Sequence, residues 1–164
     1  MPLAIGNKWT YQVKAGLSNR VSTLKIEKKS PVGQVEGFTL TSDIGDSALA
    51  WKNNQLITSR LANSEFFPPL PIYANINEGE VINWKGTIRA SGSAKSAKGE
   101  LKVKQVDEDI DNKKLHLYVG QVTLQIENER HEITTWFQSG KGIFRQEHRI
   151  NDTLATQIKY VSGP

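Results

Sequence analysis

The three histidines are the side chains best suited to acid–base or metal chemistry, because imidazole titrates near neutral pH. A hairpin turn at residues 139–142 decides where two of them lie. A two-residue loop would place Glu132 opposite Glu147 and Arg130 opposite Arg149, and like charges that face each other are unfavourable. A four-residue loop pairs Glu132 with Arg149 instead. We therefore expect the longer loop.

This register places His131 and His148 diagonally on one face of the sheet. Two imidazoles can begin a metal site, but zinc needs three or four ligands. No carboxylate on that face completes the set, so we expect no metal and no cofactor. We interpret the pair as two half-buried imidazoles at the end of a sheet. His116 lies between two leucines and is expected to face outward.

Other residue patterns that carry chemistry are absent or incomplete. The chain has no G-x-S-x-G nucleophile elbow and no cysteine, which excludes thiol catalysis and thiolate metal sites. The acidic run 107–111 lacks the glycine and the terminal glutamate of a calcium loop. We therefore predict that the protein is not an enzyme. A hydrolase would need a cleft that holds a perturbed histidine beside a serine or a carboxylate.

Length and charge limit the remaining classes. The 164 residues, 37% hydrophobic and 23% charged, predict one folded domain over residues 1–164. Most of the net charge of +4 lies between Lys85 and Lys104. No aromatic residues interleave these basic side chains as stacking on nucleic acid requires, so we interpret the stretch as a solvated hairpin. No run approaches the roughly 18 apolar residues of a membrane-spanning helix.

The elements that must position these side chains are strands. Trp9 and Tyr11 alternate with polar residues, which predicts a half-buried strand over residues 7–15. The alternation recurs along the chain between turn signals such as Asn53-Asn54 and Asp111-Asn112. We predict an all-β fold: a strongly curved antiparallel sheet of about ten strands, half-barrel or barrel-like, with little or no helix.

Four features interrupt the alternation. Residues 64–74 contain three prolines in four positions, which cannot supply the donors of a central strand. We expect a loop that either closes over the sheet as a lid or fills the core as a plug. The small, polar residues 91–99 predict a mobile hairpin tip. A change of parity at Gly120 predicts a bulge or sharp bend, and Gly37 predicts another irregularity.

Three stretches form a set of motifs. The chain begins P-L-A-I-G-N-K-W-T-Y at residues 2–11, contains G-E-V with a tryptophan after the prolines at 79–84, and carries W-F-Q-S-G-K-G-I-F-R at 136–145. Together they resemble a group of uncharacterised bacterial secreted or lipid-anchored β-domains, similar to half-barrels of the lipoprotein-carrier (LolA) type. The resemblance implies an extracytoplasmic protein with a sheltered apolar cavity. Folding alone is the other explanation, with Trp9 and Tyr11 anchoring the core against the final hairpin.

These observations predict a periplasmic or cell-surface protein whose export signal is absent from this chain, because Met1–Ala4 lacks the features of a signal peptide. We predict a non-enzymatic binding or carrier module for a lipid or another apolar or amphipathic small molecule. The predicted lining is aromatic: Trp9, Tyr11, Trp51, Phe66, Phe67, Trp84 and Phe137. The alternative is a protein-interaction or envelope-structural domain that contacts an envelope partner through a sheet edge or through residues 64–74.

Overall fold

The computed structural model describes residues 1–164 and consists of twelve β-strands with no helix. The strands are β1 Lys8–Ala15, β2 Ser18–Val32, β3 Val35–Thr41, β4 Ser47–Lys52, β5 Gln55–Leu61, β6 Ser64–Ala74, β7 Val81–Ala90, β8 Ser93–Ile110, β9 Lys113–Ile126, β10 Glu129–Gln138, β11 Gly142–Ile150 and β12 Thr153–Ser162. Each strand pairs with its neighbours in sequence, and β1 pairs with β12. The sheet is therefore a closed up-and-down barrel.

The predicted all-β, barrel-like fold is confirmed, with twelve strands where about ten were expected. The predicted turns also form, since Asn53 and Asn54 have φ of 49° and 62° and Asp111 and Asn112 have φ of 51° and 59°. These left-handed angles suit two-residue hairpins, and Asn and Asp tolerate them best after glycine. No helix with the length and apolar character needed to cross a membrane is present.

The prediction that residues 64–74 form a loop is wrong, because they form β6. The prolines fit because the ladder is interrupted around them. β6 pairs with β7 only over Ser64–Phe67, and its pairing with β5 contains two register shifts. Leu70 and Ile72 have no exposed surface. The segment therefore fills the interior as a plug rather than covering the barrel as a lid.

The bulge predicted at Gly120 is also absent, because β9 keeps an unbroken register with β8 and β10. The hydrophobic residues before and after Gly120 alternate out of step because both faces of β9 contain buried side chains. Val122 belongs to the main core, whereas Val119 is buried on the opposite face beside its partner Trp136. Gly120 has a different role: a Cβ at this position would overlap the backbone oxygen of Ile72. The glycine lets β6 lie directly against β9 across the interior of the barrel.

Two smaller predictions are corrected as well. Gly37 keeps its register with Ser30, and the irregularity of β2 lies between Ile26 and Lys28. The hairpin tip predicted over residues 91–99 is limited to a short turn before β8 begins at Ser93. Small, polar residues can continue a strand where the neighbouring strands supply the hydrogen bonds, as β7 and β9 do here.

Candidate functional site

A cavity of about 400 Å³ lies within one end of the barrel, and 14 of its 24 lining residues are hydrophobic. We call this the cavity end. Its turns join β1 to β2, β3 to β4, and β5 to β6. The opposite end, which carries the turn at residues 139–141 and the N-terminal residues, is called the anchored end.

The floor of the cavity is apolar and buried. It includes Tyr11 from β1, and Phe66 and Ile72 from the plug strand β6. The hydroxyl of Tyr11 donates to the backbone oxygen of Ile143 over 3.1 Å. Burial raises the pKa of Tyr11 far above its ordinary value, with a further contribution from Tyr160. The phenol is therefore neutral and already hydrogen-bonded, so Tyr11 contributes a packing surface to the cavity and not an acid or base.

The rim of the cavity is polar. Arg20, Asn63 and His148 reach it from β2, from the β5–β6 turn and from β11. Asp43, in the β3–β4 loop, accepts a hydrogen bond from Ser22 and lies 3.8 Å from the Arg20 guanidinium. The Arg20 and Asp43 side chains are both about half exposed, so this ion pair is weak and open to competition.

Two histidines meet at this rim, as the sequence predicts. Glu132 pairs with Arg149 in the β10–β11 ladder, which confirms the predicted register. The predicted four-residue loop is wrong, because a register shift between Trp136 and Phe137 pairs Gln138 with Gly142 and leaves a loop of residues 139–141. The Nδ1 atom of His131 lies 3.0 Å from the Nε2 atom of His148, and the rings stack with centroids 5.2 Å apart. Burial, followed by the proximity of His131, lowers the pKa of His148. His148 is therefore neutral near pH 7.

A carboxylate lies beside this pair, so the expectation that none shares the face with the histidines is wrong. The Glu129 carboxylate lies 3.4 Å from Nε2 of His131, on the side away from His148. The three side chains form a row from the exposed Glu129 to His148, which lines the cavity. No serine hydroxyl hydrogen-bonds to His148, so the arrangement lacks an activated nucleophile. No group of three or more His, Cys, Asp or Glu side chains is placed to hold a metal ion.

The third histidine lies elsewhere. The Nδ1 of His116 is 2.7 Å from the Asp107 carboxylate and its Nε2 is 3.1 Å from Gln105, on the exposed β8–β9 hairpin. Hydrogen bonds from His116 and then Lys114 lower the pKa of Asp107. His116 is exposed, as expected, and is not among the residues lining the cavity.

Of the seven aromatic residues proposed as the binding surface, the structure brings Tyr11 and Phe66 to the cavity. Three others are packed in the core away from it. Trp9 donates from Nε1 to the Lys141 oxygen over 2.6 Å, and Trp84 donates to the Pro68 oxygen over 3.1 Å. Phe137 packs against Tyr73. The side chains of Trp9, Trp84 and Phe137 thus pack within the fold and do not line the cavity.

The last two aromatic residues lie on the outside. Trp51 is 42% exposed and Phe67 is 55% exposed. Sequence reasoning did not single out Arg20 or Ile72 as lining residues. The predicted pairing of Glu132 with Arg149 indicates the position of His148. Nothing in the sequence marks Arg20 as a rim residue, because charged residues are common near turns.

The motifs at the two ends of the chain meet in space. Trp9 and Tyr11 donate to the oxygens of Lys141 and Ile143, which anchors the first strand on the β10–β11 hairpin. A Cβ at Gly142 would lie 3.1 Å from Met1 and 3.4 Å from the Trp9 indole. The expectation that these residues anchor the core against the final hairpin is confirmed.

No protein-family model and no curated protein matches this chain. Solved structures that resemble it include the following two. The hypothetical lipoprotein YmcC from Escherichia coli K12 has a TM-score of 0.52 at 10% identity over 96% of this chain and 84% of its own. A Bacteroides fragilis protein described as exported, with a YmcC-like fold, has a TM-score of 0.55 at 10% identity over 100% and 98%. At this identity the similarity shows a shared fold alone.

Proposed function

We propose that this barrel is a non-enzymatic binding module that holds one small apolar or amphipathic molecule in the cavity. The observation that carries the proposal is the shape of the site. A cavity of about 400 Å³ has an apolar floor and a polar rim, and it opens at one end of a closed barrel. Pockets for small ligands typically combine a mainly apolar lining with a few polar groups.

The volume limits the size of the ligand. A dry cavity of roughly 150 Å³ is enough for benzene, and ligand sites usually span roughly 300–1,000 Å³. A cavity of about 400 Å³ therefore suits one short acyl chain or a molecule with two or three rings. A phospholipid with two long chains is too large for it. The expectation of a lipid ligand is thus narrowed to single-chain amphiphiles.

The proposed location is outside the cytoplasm. Support comes from the shared fold, since one similar structure is described as a lipoprotein and the other as an exported protein. Absence of cysteine is compatible with either compartment. The likeness to LolA-type carriers inferred from sequence motifs remains a prediction, and the closed sheet differs from a half-barrel.

The alternative, an interaction domain, has less support from the geometry. The barrel is closed, so the sheet has no free edge of the kind that adds a partner strand. Most of residues 64–74 are buried or half-buried, and only Phe67 and Pro68 are exposed. A partner would have to recognise these two residues rather than the segment as a whole.

Native mass spectrometry tests the binding proposal. The protein is extracted with organic solvent, refolded and titrated with 1-decanol, and we expect one molecule bound per chain. Leu61→Trp should abolish binding because Leu61 lines the cavity and the indole would occupy its volume. Leu17→Trp is the matched control, because Leu17 is fully exposed on the β1–β2 turn.

Each variant is first checked for a cooperative thermal transition, so that lost binding is not confused with lost folding. The proposal fails if the unmodified protein binds no decanol. It also fails if Leu61→Trp binds decanol as well as Leu17→Trp does, because the ligand would then lie outside the cavity.

A further inference from the structure

We assign the proton on each histidine from the contacts at the rim. An ionised carboxylate only accepts hydrogen bonds, so Glu129 requires a proton on Nε2 of His131. In the neutral ring, Nδ1 of His131 is then an acceptor, and the proton between the rings belongs to Nε2 of His148. The remaining nitrogen of His148, Nδ1, carries a lone pair. It has no protein partner, and His148 lines the cavity.

Uptake of one proton changes this nitrogen into a donor. The added proton goes to Nδ1 of His148, and the proton between the rings can shift so that the charge lies on His131, beside Glu129. Burial disfavours the charge on His148 itself, whereas the exposed Glu129 carboxylate lies 3.4 Å from Nε2 of His131. The cavity then faces an N–H group that belongs to a cationic pair.

The charged groups around the rim favour an anionic ligand head in this state. Arg20 lines the same cavity and has only a long, half-exposed contact with Asp43. Asp43 opposes an anion, but its carboxylate already accepts from Ser22. Glu129 lies beyond His131, and Lys95, whose pKa Glu127 and Glu129 raise, offsets part of its charge. Of the residues that line the cavity, Arg20 and His148 are thus the two that can carry a positive charge.

We propose that the cavity selects a single-chain amphiphile with a carboxylate head, which Arg20 and Nδ1 of His148 bind at the rim, and that acidification tightens this binding. The inference rests on the proposed binding function of the same cavity. The acyl chain would lie on the floor formed by Tyr11, Phe66 and Ile72. A carboxylate bound by a guanidinium and a cationic imidazole receives charge-assisted hydrogen bonds, which are the stronger kind.

The test compares decanoic acid with 1-decanol by isothermal titration calorimetry at pH about 7.5 and about 5.5, where histidine changes charge and a carboxylic acid stays largely ionised. Decanoate should bind about fivefold to tenfold more tightly at the lower pH, in keeping with one charge-assisted hydrogen bond. Decanol should bind equally at both. Proton uptake on decanoate binding should appear as a dependence of the measured heat on the buffer.

His148→Gln keeps a polar side chain at the rim but cannot take up the proton, so decanoate binding should lose its pH dependence. His131→Gln should weaken that dependence, because it removes the ring that shares the charge. His116→Gln is the matched control, since His116 lies on the exposed hairpin. Arg20→Gln should lower the preference for decanoate over decanol at both pH values.

The outcomes separate the two proposals. If decanol binds but decanoate is not preferred at the lower pH, the carboxylate inference is wrong and the binding function stands. If decanoate binding to His148→Gln retains the full pH dependence, the proton is not taken up by His148, and the inferred role of His148 is wrong. If neither probe binds to the unmodified protein, the proposed function itself fails.

Discussion

The anchored end and the cavity end of the barrel use polar groups in opposite ways. At the anchored end, the Trp9 indole and the Tyr11 hydroxyl donate to backbone oxygens of the β10–β11 hairpin over 2.6 and 3.1 Å. At the cavity end, Arg20 and Asp43 make a half-exposed contact of 3.8 Å. Buried, satisfied groups hold the fold, whereas exposed, weakly paired groups remain available to a ligand.

The plug strand β6 separates the two ends. Ile72 forms part of the cavity floor, and its backbone oxygen lies where Gly120 leaves room for it. Substitutions near the anchored end or the plug should therefore reduce stability strongly. Substitutions at the rim should change ligand binding with little effect on stability.

The largest loss of stability is expected for Gly120→Ala. The new Cβ would overlap the Ile72 oxygen, and backbone cannot move aside as a flexible side chain can. We expect the free energy of unfolding to fall by about 3 kcal/mol or more. Urea denaturation measures it, with Gln125→Ala on the same strand as an exposed control. An unchanged midpoint would show that β6 does not press on β9.

Trp9→Phe should be the next most damaging change. It leaves the Lys141 oxygen without the indole donor and opens space in a fully buried site. The expected cost is about 2–3 kcal/mol. Decanol binding by the variant should remain intact, because Trp9 does not line the cavity. A loss of binding in a folded Trp9→Phe protein would show that the two ends are coupled.

Tyr11→Phe should have a smaller effect. It removes only the hydroxyl that donates to Ile143 and keeps the ring at the cavity floor. We expect a loss of about 1 kcal/mol, the usual value of one hydrogen bond. Thermal and urea unfolding of the variant measure it, and decanol affinity should change little. A loss as large as that of Trp9→Phe would mean that the hydroxyl supports more than this one contact.

The smallest expected effect is a pH dependence of the free protein. The pKa of His148 is lower in the folded chain than in the unfolded one, so the unfolded state binds more protons as the pH falls through the ordinary histidine range near 6.5. Stability should therefore decline slightly below that pH and recover above it. His148→Gln should flatten the profile relative to His116→Gln. An identical profile in both variants would contradict the assignment to His148.

The histidine pair shows what sequence reasoning can reach. Like-charge repulsion between Glu132 and Glu147 selected the hairpin register, and that register alone placed His131 beside His148. The alternation of Trp9 and Tyr11 likewise placed both rings inside the barrel. Charge pairing across a hairpin and alternation along a strand predict these positions correctly, because each depends only on residues that are neighbours within the sheet.

The aromatic residues show where such reasoning stops. Alternation tells which face of a strand a side chain occupies, but it does not tell the height along the barrel axis. Trp84 and Phe66 are both inward and in edge contact, yet only Phe66 lines the cavity. That difference depends on β6, whose path follows from the room that Gly120 leaves on a distant strand. Packing between strands that are distant in the sequence leaves no pattern in the residues of either strand alone.

Because β1 pairs with β12, the barrel can close only after the last strand has been synthesised. Tyr11 pairs with Tyr160, so the ring closes between segments from opposite ends of the chain. During synthesis the first strand emerges long before its last partner, and until then one of its edges has no neighbour. Unpaired strand edges invite association with other chains. Pairing with β12 therefore protects the free edge of β1 from association with other chains. Because Thr156 and Ile158 of β12 also line the cavity, removing this strand should harm solubility and the cavity together.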